Sequence, residues 1–388
     1  MANIYHGSWL RHFFETALAF AKSPRRQFRQ WRGYAAARGS PEAARHLDRI
    51  RTFTREGRRE DAIAYATNIA ETARQANDRK MLWWVSELLG GLDQYDLQAS
   101  TAYVSRRIEQ TPPPNDWNGE PVKGRLVADF RHRTPAFPLR HARFIKSAAD
   151  RSGECIAICE PRLVPLFQRS FPDVDVRRGD GDVETLRREA DALISHQDLP
   201  YLFGRSAAAI EAAFVPLRAD LEQAAQFRQR YRKNGKPLIG FSWGSKNQAK
   251  DAPALADWSV VFNAVPATYV SLQYGDVDVA LRKLRRLAGD DLIHDDSVDQ
   301  MTDLDTFAAQ LTSLDAIIST SSTVVHLAGA LGIPTVVILD ESLLTWPIFA
   351  DRIPWYPRTV LVHQRRRDWP AVMKEAQTAL KTILPTTP

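Results

Sequence analysis

Cysteine is nearly absent from this sequence, with two in 388 residues. That excludes a disulfide-stapled scaffold and points to a reducing, cytoplasmic compartment. No run of 18 apolar residues occurs, so the sequence offers no membrane-spanning helix. A Walker A motif and a GxGxxG fingerprint are also missing. No His or Cys constellation has metal-ligand spacing, so neither a metal nor a cofactor is expected. With 44% hydrophobic and 25% charged residues the composition is that of a globular protein. At about 100–200 residues per domain, the length suits two or three domains.

Negative charge is scarce only at one end. Residues 1–60 hold 13 Lys/Arg against 5 Asp/Glu, whereas the remainder holds 39 against 41. The basicity is therefore an N-terminal arm on a near-neutral body. Trp9, Leu10, Phe13, Phe14, Ala17, Leu18 and Ala21 recur at helical spacing, interrupted by Arg11 and Glu15, which makes a poor secretory signal. Lys22, Arg25, Arg26, Arg29 and Arg32 follow, with Phe28 and Trp31 between them. One reading puts residues 8–32 on an anionic membrane surface, peripheral to its inner face. The other packs the helix on the next domain with a solvated basic face. Nucleic acid is not an expected partner, because the body carries no matching basic stripe or motif.

Residues 41–110 read as helical, with small residues at close intervals over Asp61–Ala70, resembling one tetratricopeptide-type helix pair without a second copy at the 34-residue period. Met81, Leu82, Trp83, Trp84, Val85, Leu88 and Leu89 read as core. Thr111-Pro112-Pro113-Pro114-Asn115 ends the region, since consecutive prolines cannot continue a helix. Beyond it the pattern alternates. Strands are expected at Arg125–Asp129, Cys155–Cys159, Val174–Val176 and Ala192–Ile194, with helices at 139–150 and Pro161–Arg169. After a charged helix over 219–235, strands recur at Lys236–Trp243, Tyr269–Gln273, Leu292–His294, Ala316–Ser319, Thr335–Leu339 and Val360–Val362. Helices are expected at 277–288, 303–311, 323–331 and 369–383. Alternation of this kind gives parallel sheets covered by helices. The expected architecture is α/β: two Rossmann-like doubly wound domains, 116–235 and 236–388, preceded by a helical region over 1–115. Ligands in such sheets lie beyond the carboxyl ends of the strands.

Several residues suit chemistry at those ends. Thr320, Ser321, Ser322 and Thr323 fall where a helix begins, so free N–H groups, the helix dipole and hydroxyls would meet an anion there. His326 lies one turn in. The alternative is a plain capping turn with His326 packed. Gly240–Lys246 is a Gly-flanked loop after a strand, where Ser242 and Lys246 could meet phosphate. Gln273 and Tyr274 end the next strand, beside a base or ribose or as a simple turn. Thr302 reads as a helix cap, with Asp305 three residues on. Cys155 and Cys159, four strand residues apart, span about 13 Å and cannot bridge.

Gly240–Trp243, Val270–Asp276 and above all Ile318-Ser-Thr-Ser-Ser-Thr-Val-Val-His-Leu-Ala-Gly-Ala-Leu-Gly332 resemble a known family. This is the glycosyltransferase-like domain of bacterial tetratricopeptide-repeat proteins, related to the heptosyltransferases of glycosyltransferase family 9. The resemblance extends through Glu160–Phe167, Ser170–Val174 and Trp355–Pro357, and covers about 117–385. It implies a GT-B fold whose C-terminal domain holds a nucleotide-sugar donor, a glycan, lipid-linked or protein acceptor, and a role in lipopolysaccharide or another surface polysaccharide. Two departures concern catalysis. The Gly-rich acidic loop of the family reads Asp129–Pro138 here without glycine, and Ser321 stands where heptosyltransferases carry Asp. Asp129 or His132 would supply the base, and Arg131, Arg133 and His196 acceptor contacts. The competing reading is a catalytically inactive relative that binds a nucleotide sugar or a partner.

Overall fold

The computed structural model describes residues 40–108, 112–232, 235–244, 251–340, 346–364 and 368–385. The basic arm at 8–32 and Lys246 lie outside the described residues.

Four helices come first: α1 (Pro41–Arg55), α2 (Arg59–Gln75), α3 (Arg79–Gly91) and α4 (Tyr95–Arg107). Ser40 caps α1 through the Ala43 amide, and Asp78 caps α3 through those of Lys80 and Met81. Ala62, Ala66, Ala70 and Ala73 line the buried face of α2 and allow close approach. Gly90 permits the same between α3 and α4, because a Cβ there would overlap the Gln98 side chain. Leu82, Trp84, Val85, Leu88 and Leu89 join Ile50 and Phe53 in one core. Trp83 does not: it is half-buried and turns toward Phe137, 6.4 Å between ring centres.

The first sheet holds β1 (Val122–Phe130), β2 (Ser152–Cys159), β3 (Asp175–Arg178) and β4 (Ala192–Ser195), all parallel, in the order β3-β2-β1-β4. Its helices are α5 (Ala136–His141), α6 (Ile145–Ala149), α7 (Val164–Ser170), α8 (Val183–Arg188), α9 (Leu199–Phe203) and α10 (Ala207–Ala212). The single helix expected over 139–150 is broken by a 3-10 turn at Ala142–Phe144. That turn carries Arg143 inward, where its guanidinium donates to the carbonyl oxygens of Ile210 and Trp355. Cys155 and Cys159 are buried, unbridged, in β2.

After α11 (Leu221–Tyr231) comes a second sheet: β5 (Leu238–Ser242), β6 (Thr268–Ser271), β7 (Leu292–His294), β8 (Ala316–Thr320), β9 (Thr335–Leu339) and β10 (Thr359–His363). Its order is β10-β9-β8-β5-β6-β7, again all parallel. Every residue of β5, β8 and β9 is buried, as strands covered on both faces must be. The helices are α12 (Ser259–Ala264), α13 (Asp278–Ala288), α14 (Leu304–Thr312), α15 (Thr323–Ala330) and α16 (Trp369–Ile383). The cap of α14 is Asp303, which accepts from the amides of Asp305 and Thr306; Thr302 instead donates to Asp299.

Each sheet has one place where the strand order reverses direction: between β1 and β4 in the first, and between β5 and β8 in the second. Side by side at these points lie Asp129 and Ser195, and Ser242 and Ser319. Helices α5 and α15, which follow β1 and β8, pack on one another. One core runs through both sheets, including Phe130, Phe144, Leu272, Leu327 and Trp355. The helical layer touches both: Ile348 N–H donates to the Gly91 carbonyl at 2.7 Å, and Arg106 pairs with Asp198.

Candidate active site

At the second reversal point, strand β8 ends and α15 begins within three residues. Ser322 occupies the N-cap position with extended backbone, yet its hydroxyl caps nothing. Ser322 Oγ and Thr320 Oγ1 are both buried and have no hydrogen-bond partner among the described residues; the residues are 8% and 7% exposed. Buried hydroxyls are nearly always satisfied, and leaving one unsatisfied costs about 1–3 kcal/mol. Both stand beside the positive end of a helix, where negative charge is favoured. Ser321 Oγ accepts from the Trp346 indole at 3.2 Å. Thr323 is half-buried at the first position of the helix.

His326 is a packed residue. Its ring stacks on Trp346, 5.5 Å between centres, and its Nδ1 shares a 2.9 Å hydrogen bond with the Tyr356 hydroxyl. It holds the indole that in turn holds Ser321.

Across the same crevice, Ser242 and Gln273 meet each other. The Gln273 amide oxygen accepts from Ser242 Oγ (2.9 Å), Trp243 N–H (3.1 Å) and Gly244 N–H (3.0 Å). Both side chains thus shape the loop leaving β5, and Ser242 does not point a proton at a phosphate. Gly240 faces inward, where a Cβ would lie 2.6 Å from Leu272 and Leu314, so it serves close packing and not ligand approach. Tyr274 is half-buried and precedes Gly275, whose φ of +90° makes the turn.

At the first reversal point, Asp129 and Arg131 face each other. Both carboxylate oxygens accept from the guanidinium, at 2.9 and 2.7 Å, and the Arg131 amide adds a 3.0 Å bond. That bidentate pair satisfies Asp129 and neutralises Arg131. Arg133 is exposed on the same loop. His132 has a different setting. Its Nδ1 lies 3.0 Å from the Thr134 carbonyl oxygen and 3.1 Å from the Thr134 amide; donation to the carbonyl puts the proton on Nδ1 and the lone pair on Nε2, and the ring stands edge-on to Phe137 (4.9 Å) and His196 (5.6 Å). Burial holds its pKa below the usual 6.5, leaving a neutral imidazole at neutral pH.

His196 is fully buried and stacks on Phe130. Its Nδ1 shares a 3.0 Å bond with Nδ1 of His141, a residue the motif reading did not single out. Burial, reinforced by neighbouring arginines and imidazoles, drives both pKa values well below 6.5. One of the two nitrogens carries the proton and the other accepts it. Among the described residues, no three His, Cys, Asp or Glu side chains converge on a cation site. No helix among them is long and apolar enough to cross a membrane.

No protein-family model matches the chain. Over 313 residues, 75% of its length, it is 25% identical to Protein FlbA of Caulobacter vibrioides, and it spans about half (52%) of that relative. Among solved structures it is similar to the glycosyl transferase family 9 protein of Veillonella parvula, with a TM-score of 0.49 and 12% identity over 70% of this chain and 99% of that one. It is also similar to the ADP-heptose lps heptosyltransferase II of E. coli, with a TM-score of 0.46 and 12% identity over 66% and 98%. A third is the iron-containing dodecameric glycosyltransferase TibC of enterotoxigenic E. coli, with a TM-score of 0.42 and 14% identity over 68% and 77%. These are likenesses of overall arrangement, and none assigns an activity to this chain.

Proposed function

We propose that the chain is a glycosyltransferase of GT-B architecture, with an acceptor domain over 116–235 and a donor domain over 236–388. It moves a sugar from a nucleoside diphosphate to a hydroxyl of a glycan, lipid-linked saccharide or protein, in bacterial surface polysaccharide synthesis. The observation that carries this reading is the Thr320–Thr323 turn, with two buried hydroxyls that lack partners among the described residues, at a helix N-terminus beyond the carboxyl edge of a parallel sheet. A donor diphosphate satisfies both hydroxyls and faces the helix dipole. The sequence resemblance over Ile318–Gly332 supports the same placement.

His132 is the base in this proposal. Its neutral imidazole takes the proton as the acceptor oxygen attacks the anomeric carbon and the bond to the diphosphate breaks. The leaving diphosphate keeps its electron pair, and its charge rests on hydroxyls and helix dipole rather than on a metal. His196, tied to His141, stands against the His132 ring and orients it. The reaction takes place in the cytoplasm, with residues 8–32 holding the enzyme to an anionic membrane face.

One observation favours a second reading, a binding protein that keeps the donor site and transfers nothing: Asp129 is fully engaged by Arg131. A thermal-shift screen against UDP, GDP, ADP, CMP and their sugars tests the donor site. A ligand at about 100 times its dissociation constant stabilises by about 2.7 kcal/mol. No shift with any nucleotide overturns the donor assignment. A shift without sugar release to any acceptor selects the second reading.

A further inference from the structure

The hydroxyls of Thr320 and Ser322, which lack partners among the described residues, flank Ser321 in the chain. Ser322 makes no side-chain capping bond, so a hold from neighbouring segments matters more here than at an ordinary helix start. The hold falls on the middle residue. The Trp346 indole N–H donates to Ser321 Oγ at 3.2 Å, and both side chains are buried.

Trp346 is one corner of a triangle of rings. Its centre lies 5.5 Å from that of His326 and 6.4 Å from that of Tyr356, and those two are 5.8 Å apart. Trp346 and Tyr356 are 1% and 0% exposed. The Tyr356 ring fills the space a Cβ on Gly329 would need, 2.4 Å from its Cγ. The triangle therefore meets α15 at His326 and again about one turn on, at Gly329.

The polar atoms orient these rings. The Arg140 guanidinium hydrogen-bonds the Tyr356 hydroxyl, and a guanidinium has donors only. The phenol oxygen accepts from Arg140, and its one proton goes to His326 Nδ1, 2.9 Å away. His326 Nδ1 is then an acceptor, and the imidazole proton sits on Nε2. A hydrogen bond at one ring nitrogen sets the tautomer and the orientation of the other. Arg140 is buried and belongs to α5, which follows β1 and packs on α15. The chain of contacts thus runs from the first sheet's unit to the turn at the second.

We infer that Tyr356 is a positioning residue of the Thr320–Thr323 turn. With Arg140 it fixes the His326 ring, His326 holds the Trp346 indole, and the indole holds Ser321, so that the flanking hydroxyls stay where a phosphate meets both. The inference rests on the donor reading of that turn.

Two measurements test it. Nitrogen–proton correlation NMR of the full chain with labelled histidine reads the tautomer of His326, its signals assigned by their loss in His326→Gln. The proton is expected on Nε2; a proton on Nδ1 overturns the inference. The second is a double-mutant cycle on nucleotide affinity, by isothermal titration with UDP, GDP, ADP and CMP. Tyr356→Phe keeps the ring against Gly329 and removes only the hydroxyl, and Ser321→Ala removes the acceptor of the indole. Each weakens binding about 2- to 12-fold. Because both act on the same hold, the double variant binds no more weakly than the weaker single variant. Factors that multiply overturn the inference, as does unchanged affinity in Tyr356→Phe, and either result leaves the donor reading standing. If none of the four nucleotides binds the unmodified chain, the donor reading falls and the positioning role falls with it.

Discussion

Replacing Ser322 with alanine separates a ligand-binding turn from a structural one by the sign of two effects. Serine at a helix N-cap ordinarily stabilises by about 0.5–2 kcal/mol, because its oxygen accepts from an amide in the first turn. Here the hydroxyl makes no such bond and lies buried without a partner among the described residues. Its removal therefore forfeits no cap and relieves a buried unsatisfied group, so the ligand-free protein keeps its stability or gains up to about 1–3 kcal/mol. Binding behaves oppositely. A hydroxyl donating to a phosphate oxygen is worth about 1.5–3 kcal/mol, so affinity for the nucleoside diphosphate falls about 10- to 150-fold. Urea denaturation of the free protein and isothermal titration with the nucleotide found in the screen give the two numbers. A loss of more than about 1 kcal/mol in the free protein refutes the reasoning, because the hydroxyl then has a structural partner. An unchanged affinity refutes it equally.

Three more outcomes follow from the same geometry. His132→Gln lowers the transfer rate about 10²- to 10⁴-fold with nucleotide affinity intact, and the pH–rate profile of the unmodified enzyme stays flat through neutrality, with its acid limb below 6.5, where the half-buried His132 protonates; a limb above 6.5 removes His132 as the base. His141 and His196 are buried neutral, so the unfolded chain takes up protons below 6.5 that the folded one refuses. Stability is full above 6.5 and falls below it, by up to about 1.4 kcal/mol per pH unit for each group, until the folded pKa values are reached; urea midpoints at pH 7.5 and 5.5 read this, and His196→Phe shallows the slope. Gly329→Ala gains about 1 kcal/mol of helix propensity but drives a methyl group into the Tyr356 ring. Overpacking of that kind costs about 1–3 kcal/mol and shifts the partner of His326, so a net loss of stability in thermal denaturation is expected.

Strand positions were legible because a parallel strand covered on both faces must be an unbroken apolar run, and α16 ends at the residues its spacing implies. The helix over 139–150 was not, because the break serves Arg143, whose acceptors Ile210 and Trp355 lie far along the chain. The Thr320–Thr323 turn was readable from its run of small hydroxyl residues at a strand end. The pairings that occupy Ser242, Gln273 and Asp129 were not, since each partner is set by loop geometry. For Asp129 the signal was in view, a carboxylate two residues from an arginine, but spacing alone cannot say that the two fold back on one another. His141 sits inside an ordinary helical pattern, and only the contact with His196 marks it out.

The helical layer has a mechanical consequence. It grips the second sheet's unit through Gly91 and Ile348, with Ile348 and Phe349 set against its core, and the first sheet through Arg106 and Asp198 and the stacked rings of Tyr103 and Tyr201. It is a strut laid across both sheets. Any movement of one sheet against the other would have to break hydrogen bonds, an ion pair and apolar contact at both feet of that strut together. A truncation that removes α1–α4 therefore exposes apolar surface on both sheets' sides and takes away all of these ties at once.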